Sequence, residues 1–235
     1  MDLLQADGTA LLEAAISDLN RQVPACPEWT ARELLAHTGG VHRFWGDIAA
    51  RRLADPSEAR AEPAPEDDSR IAPWYRGGLE RLIDTLSRAA PDEPVWSWSA
   101  RKEIGFIQRR MPQETAVHRW DAQDAVGEAA PIDGQLAVDG VDEWLDVFGG
   151  SQDRTPNGSG ETIHLHRTDG EGEWLVRLQP GGMEVTKGHE KGDAALRGGT
   201  SDLLLVLWRR IPLDRIEVLG ERAVVDRFLG WQDLD

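Results

Sequence analysis

Apolar residues at Leu3, Leu4, Leu11, Leu12, Ala15, Ile16 and Leu19 recur at the three- and four-residue steps of one helix face, and Val23-Pro24 stops the run. In Cys26-Pro27-Glu28-Trp29-Thr30-Ala31-Arg32-Glu33, Thr30 and Glu33 stand at capping-box spacing. There the hydroxyl accepts from the third helical amide while the carboxylate reaches back to the cap N–H. That spacing predicts a helix over 31–52. Residues 55–70 are rich in Pro, Ala, Glu and Asp, lack large apolar side chains, and read as a solvated connection. Helical spacing returns at Leu79, Leu82, Ile83 and Leu86. After a turn-rich stretch over 91–99, a further helix carries Glu114 through Ala125, with Gly127 as its stop. Pro112 suits the first turn of that helix, or kinks it if the helix begins earlier. A shorter helix over 136–148 completes this part, so residues 1–150 are expected to form a four-helix bundle with long crossovers.

Residues 149–160, Gly-Gly-Ser-Gln-Asp-Arg-Thr-Pro-Asn-Gly-Ser-Gly, have the composition of a linker. Beyond them the period drops to two. Ile163 and Leu165, then Trp174, Val176 and Leu178, then Met183 and Val185 alternate with polar residues between Gly-rich turns. Ser201-Asp202 is expected to cap an apolar helix over 203–208, and Ile216, Val218 and a helix over 223–229 close the chain. Residues 160–235 are therefore expected to form a small α+β domain, and the whole is an α+β chain in two parts.

Charge narrows the partners. Acidic residues number 42 against 26 basic, a formal charge of −16, and such a field repels phosphate backbones. Arg51-Arg52, Arg109-Arg110 and Arg209-Arg210 are isolated doublets, so no nucleic-acid partner is expected. The longest apolar run, over 203–208, is far short of the roughly 20 residues that span a bilayer, and no membrane partner is expected either. The acidic start of the chain lacks a signal-peptide pattern, so a cytoplasmic location is expected. The single cysteine, Cys26, cannot form an intramolecular disulfide and excludes a Cys-rich zinc module. It reads as a structural thiol more readily than as a reactive one at a helix start. Ten tryptophans against one tyrosine read first as core bulk and only second as pocket lining.

Glu114 and His118, four apart on one helix, project from the same face. His37 follows Leu34-Leu35-Ala36 on the capped helix and can point inward. A bundle core can bring one His from one helix to a Glu/His pair from another. Two imidazoles and a carboxylate suit Zn²⁺ or another divalent ion with positions left open. Asp121 is placed to accept from the other ring nitrogen of His118. Spacing alone leaves a surface hydrogen bond for the Glu/His pair, and a satisfied core residue for His37, as alternatives. His42, five residues from His37, is turned about 140° away and is a poorer ligand. His164 and His166 share one side of a strand and could chelate, but an exposed strand face explains them as well. The chain has no G-x-S-x-G, no Walker loop, and no G-x-G-x-x-G opening a helix.

Val23-Pro24-Ala25-Cys26-Pro27-Glu28-Trp29-Thr30 followed by Leu34-Leu35-Ala36-His37 resembles the first motif of the mycothiol-dependent maleylpyruvate isomerase family. Glu114-Thr115-Ala116-Val117-His118-Arg119-Trp120-Asp121-Ala122 resembles the second motif, and Leu136 to Glu143 resembles the family's next stretch. The first part is similar to the DinB-like bundle and the tail to a sterol-carrier-type domain. The resemblance implies that His37, Glu114 and His118 ligate a divalent metal, zinc before others, with Asp121 behind His118. It implies mycothiol as thiol cosubstrate and a small electrophile as substrate. Leu205-Val206-Leu207-Trp208-Arg209-Arg210 resembles the helix end that carries the family's C-terminal arginine, which makes Arg210 the candidate catalytic residue. Arg209 stands where glycine is common, and a basic pair closing a helix end is an equal explanation. The expected function is a metal- and mycothiol-dependent isomerase or thiol S-transferase. The alternative is a non-catalytic protein that binds a metal and a small ligand.

Overall fold

The structure, a computed structural model, describes residues 1–148 and 158–230. The chain divides into two units, Met1–Ala130 and Pro131–Asp235.

The first unit is built on four long helices: α1 (Asp2–Ile16), α2 (Ala31–Arg51), α3 (Ile71–Arg88) and α4 (Ile104–Ala125). The four-helix expectation holds, and two starts move. α3 begins at Ile71 and α4 at Ile104, so Pro112 lies inside α4. A hairpin that periodicity does not predict, β1 (Gln22–Val23) with β2 (Cys26–Thr30), precedes α2. It is fastened by Gln22, whose side-chain amide donates to the Trp29 carbonyl at 2.8 Å. The hairpin delivers Thr30 as the cap of α2, and the capping box with Glu33 is complete. The backbone leaves α2 through Arg52 in the left-handed region, φ 53°.

Leu4, Leu11, Leu34, Leu35, Ile48, Leu82, Ile104 and Ile107 meet in one core, each with no accessible surface. Trp74 lies against α2 at Gly39, where a Cβ would stand 2.3 Å from the ring, so only glycine admits this approach. The 55–70 connection is bound back to α2 and carries two short 3₁₀ turns, Pro56–Glu58 and Asp68–Arg70. Arg32 donates to the carbonyls of Pro65 and Glu66, and Arg51 to that of Glu58.

The second unit is a five-stranded sheet of order β5-β4-β3-β6-β7, with β3 (Thr162–Arg167), β4 (Glu173–Gln179), β5 (Gly182–Lys187), β6 (Ala194–Gly198) and β7 (Glu217–Gly220). β3 and β6 pair in parallel, and the other pairs are antiparallel. Helices α5 (Gly134–Glu143), α6 (Thr200–Leu207) and α7 (Arg222–Leu229) complete it. Ile163, Leu165, Trp174, Val176, Leu178 and Leu196 are buried, as are Leu204 and Phe228 from the helices.

Here the expected boundary is corrected. The helix assigned from sequence to the bundle, α5, packs with α6, and the division falls at residues 130 and 131 instead of between 150 and 160. Its apolar stripe of Leu136, Ala137 and Val141 fits either partner, and periodicity cannot say which. A π-helical turn, Trp144–Phe148, follows it. Residues 149–157 of the expected linker lie outside the described residues, while Gly160 donates to the Leu178 carbonyl at 2.8 Å. Among the described residues no helix is long and apolar enough to cross a membrane.

Candidate metal centre

α4 carries two of the site's side chains and α2 the third. Four residues apart on α4, Glu114 and His118 face the same way, and α2 packs against α4 with His37 opposite them. His37 Nε2 lies 3.3 Å from Glu114 Oε1, and His118 Nε2 lies 3.2 Å from the same oxygen. The two imidazole centroids are 5.0 Å apart and nearly perpendicular.

These spacings carry a test of fit. Donors about 2.0–2.1 Å from a tetrahedral zinc stand about 3.3 Å from one another, the separation found here from Glu114 Oε1 to each ring nitrogen. Two nitrogens and one carboxylate oxygen are donors that suit zinc and neighbouring transition ions. The set fits a divalent ion. His37 retains 36% of its side-chain exposure against 8% for His118, so the cluster meets solvent on the His37 side.

Neighbours hold each donor in place. Asp121 sits 2.9 Å from His118 Nδ1 and takes that ring's second nitrogen, directing Nε2 at Glu114. Burial pushes the His118 imidazole towards neutrality, but the Asp121 and Glu114 carboxylates outweigh it and raise its pKa to about 9. Burial likewise works against the Glu114 carboxylate. The Arg110 guanidinium and the two imidazoles prevail, holding it well below the ordinary value. Arg110 binds Glu114 through Oε2, which leaves Oε1 to the histidines. Trp29 of β2 lies against both rings, 4.7 Å from His37 and 6.2 Å from His118.

His37, Glu114, His118 and Asp121 are thus brought together. His42 is not among them. Its Nε2 pairs with Thr115 Oγ1 at 2.8 Å, and complete burial drives its pKa down to about 3. Cys26, in no disulfide, is half-buried on β2 and packed against the bundle core. Arg210 belongs to the second unit, just past α6, where Nη1 donates to the Trp208 carbonyl at 2.9 Å. Arg209 takes the left-handed conformation at the end of α6, φ 54°, the setting in which glycine is the usual residue. Sequence reasoning missed Arg110 and Trp29. Arg110 was within reach, since it stands four residues before Glu114 on the same helix.

The model described as "Mycothiol maleylpyruvate isomerase N-terminal domain" matches residues 2–123, and that described as "MDMPI C-terminal domain" matches residues 135–227. The chain belongs to the mycothiol maleylpyruvate isomerase family. Its fold is that of a solved mycothiol-dependent maleylpyruvate isomerase, with a TM-score of 0.64 at 14% identity over 94% of this chain and 92% of that one. A histidine-to-alanine mutant of a mycothiol-dependent maleylpyruvate isomerase matches over the same shares, with a TM-score of 0.62 at 12% identity. No curated protein matches the chain significantly. The two family matches leave only 124–134 between them, and the division at residues 130 and 131 falls inside that gap.

Proposed function

We propose that this member of the maleylpyruvate isomerase family holds a divalent ion, zinc, on His37, Glu114 and His118. With mycothiol as cosubstrate it isomerises a small unsaturated diacid from cis to trans. The observation that supports this reading most is the convergence of two ring nitrogens on one carboxylate oxygen at 3.2 and 3.3 Å, beside a half-exposed histidine. Three protein donors leave room for an external one, as catalytic sites do. When bound, the ion and the thiol together supply a thiolate nucleophile at neutral pH, whose reversible addition to a conjugated double bond permits rotation.

The chain's own residues do the rest. Arg110 keeps Glu114 ionised and fixes the carboxylate so that Oε1 faces the two rings. Asp121 fixes the tautomer and the orientation of His118. Trp29 shields one side of both imidazoles. A doubly charged substrate must approach a chain of net charge −16, which calls for a cation to receive it, and from the family resemblance we assign Arg210 to a substrate carboxylate. Its guanidinium stays charged at every working pH and can meet both carboxylate oxygens at once.

Turnover of maleylpyruvate by the zinc-loaded chain with mycothiol tests the assignment. Turnover is expected to need both additions and to fall at least about 100-fold in Glu114→Ala. Arg210→Ala should lower kcat/KM for the diacid while leaving thiol affinity within about 2-fold. If thiol binds and maleylpyruvate is not consumed, the isomerase assignment fails and a thiol S-transferase acting on another electrophile takes its place.

A further inference from the structure

The second unit carries a cluster that the proposed reaction does not use. His164 and His166 stand two apart on β3, on the face opposite Ile163 and Leu165. Glu173 of β4 is in register with His166, directly across the pair. His189 follows β5 by two residues, in a turn whose Gly188 amide donates to the Glu173 carbonyl at 3.2 Å. Two neighbouring strands and the turn after a third therefore supply four side chains to one point.

Each side chain offers one donor atom there, all within 4.8 Å of one another. His164 Nε2 lies 3.1 Å and His189 Nδ1 2.7 Å from Glu173 Oε2, and His166 Nδ1 lies 2.7 Å from Oε1. The three ring centroids form a near-regular triangle with sides of 5.3, 5.4 and 6.0 Å. Imidazoles on a tetrahedral ion, with nitrogens about 2.0–2.1 Å from it, place their centroids about 5.2 Å apart. In the bundle site the same distance is 5.0 Å.

We propose that His164, His166, Glu173 and His189 form a second metal site, for a divalent transition ion of the zinc class. Three nitrogens and one oxygen are a poor set for Mg²⁺ or Ca²⁺, which take oxygen donors, and without sulfur the site has no preference for Cu(I). Four protein donors close a tetrahedral shell. This site therefore holds its ion without presenting it to a substrate, and it pins the turn after β5 to β3 and β4. The inference is independent of the reaction proposed above and of whether that reaction occurs.

Zinc content separates the two sites. The metal-free full chain, dialysed against Zn²⁺ and then against buffer, is expected to retain about two ions per chain by elemental mass spectrometry. His189→Ala, at a residue whose side chain is 77% exposed and so is not needed for folding, should retain about one, as should Glu173→Gln. The pair His37→Ala/His118→Ala should also retain about one, and adding zinc to that pair should raise Tm through the remaining site. Adding His189→Ala to it should abolish both the ion and the Tm shift. Wild type that holds one ion and loses it in His37→Ala/His118→Ala but not in His189→Ala overturns the second site, and so does equal zinc in wild type, His189→Ala and Glu173→Gln. Comparison of wild type with His189→Ala alone decides the question should the bundle variants fail to fold.

Discussion

Glu114 divides its carboxylate: Oε2 belongs to Arg110, and Oε1 faces His37 and His118. A buried carboxylate without such a cation would gain a proton and cease to be a ligand. Asp121 does the corresponding work for His118 and is itself fully buried. Asp121→Asn keeps the shape and removes the charge. It is expected to weaken zinc binding by about 10–100-fold, measured by competition with a chelator of known affinity; unchanged affinity would show that Asp121 does not orient the ligand. Much of this centre is legible in the amino-acid sequence. Helix geometry alone puts Glu114, His118 and Asp121 on adjoining positions of one face, and the capping box fixes where His37 falls on its helix. Trp29 is not legible as a neighbour of the site. Its place depends on a hairpin whose first strand is two residues long, too short for any period to show.

Elements are most legible where one face is apolar and the other wet. α2 follows that rule, and its expected span differs from the observed one by a single residue. α4 breaks it. Arg110, Gln113, Thr115, His118, Arg119 and Asp121 are all buried, so polar residues stand where a core helix would carry aliphatic ones, and the apolar period is blurred along it. β6 escapes detection for a related reason: five residues, interior to the sheet and ending on a glycine, offer too little alternation to read. α6 begins at Thr200, so Ser201 and Asp202 lie inside its first turn instead of capping it, and the helix is secured from outside itself. Asp169, in the β3–β4 connection, accepts from the Thr200 amide at 3.0 Å and from the Thr200 hydroxyl. Partial burial pushes the Asp169 carboxyl up, but the bonds from Thr200 and the charge of Arg167 outweigh it and hold its pKa at about 2. Because the folded value lies below the unfolded one of about 3.9, the contribution is complete above about pH 4 and fades as pH falls towards about 2. Asp169→Asn should cost about 1 kcal/mol at pH 7, the linkage of the lost charge discounted for the exposure of this carboxylate. Urea unfolding across that pH range should show wild type and variant converging in the acid limb; a constant difference would contradict the assignment.

At the scale of the molecule, the two-part α+β plan is legible from the change of period after residue 160, and the place of the join is not. An amphipathic helix such as α5 displays the same stripe whether it covers helices or a sheet, so only the tertiary packing decides its unit. All three candidate ligands of the bundle site, together with Asp121 and Arg110, lie within Met1–Ala130, and Arg210 lies in the second unit. The most direct measurement of this account is calorimetric titration of the zinc-loaded full chain with mycothiol. Saturable binding of about one thiol per chain is the predicted result, lost in Glu114→Ala and retained in Arg210→Ala. An absence of heat with wild type at millimolar mycothiol, the bundle zinc being in place, would contradict it.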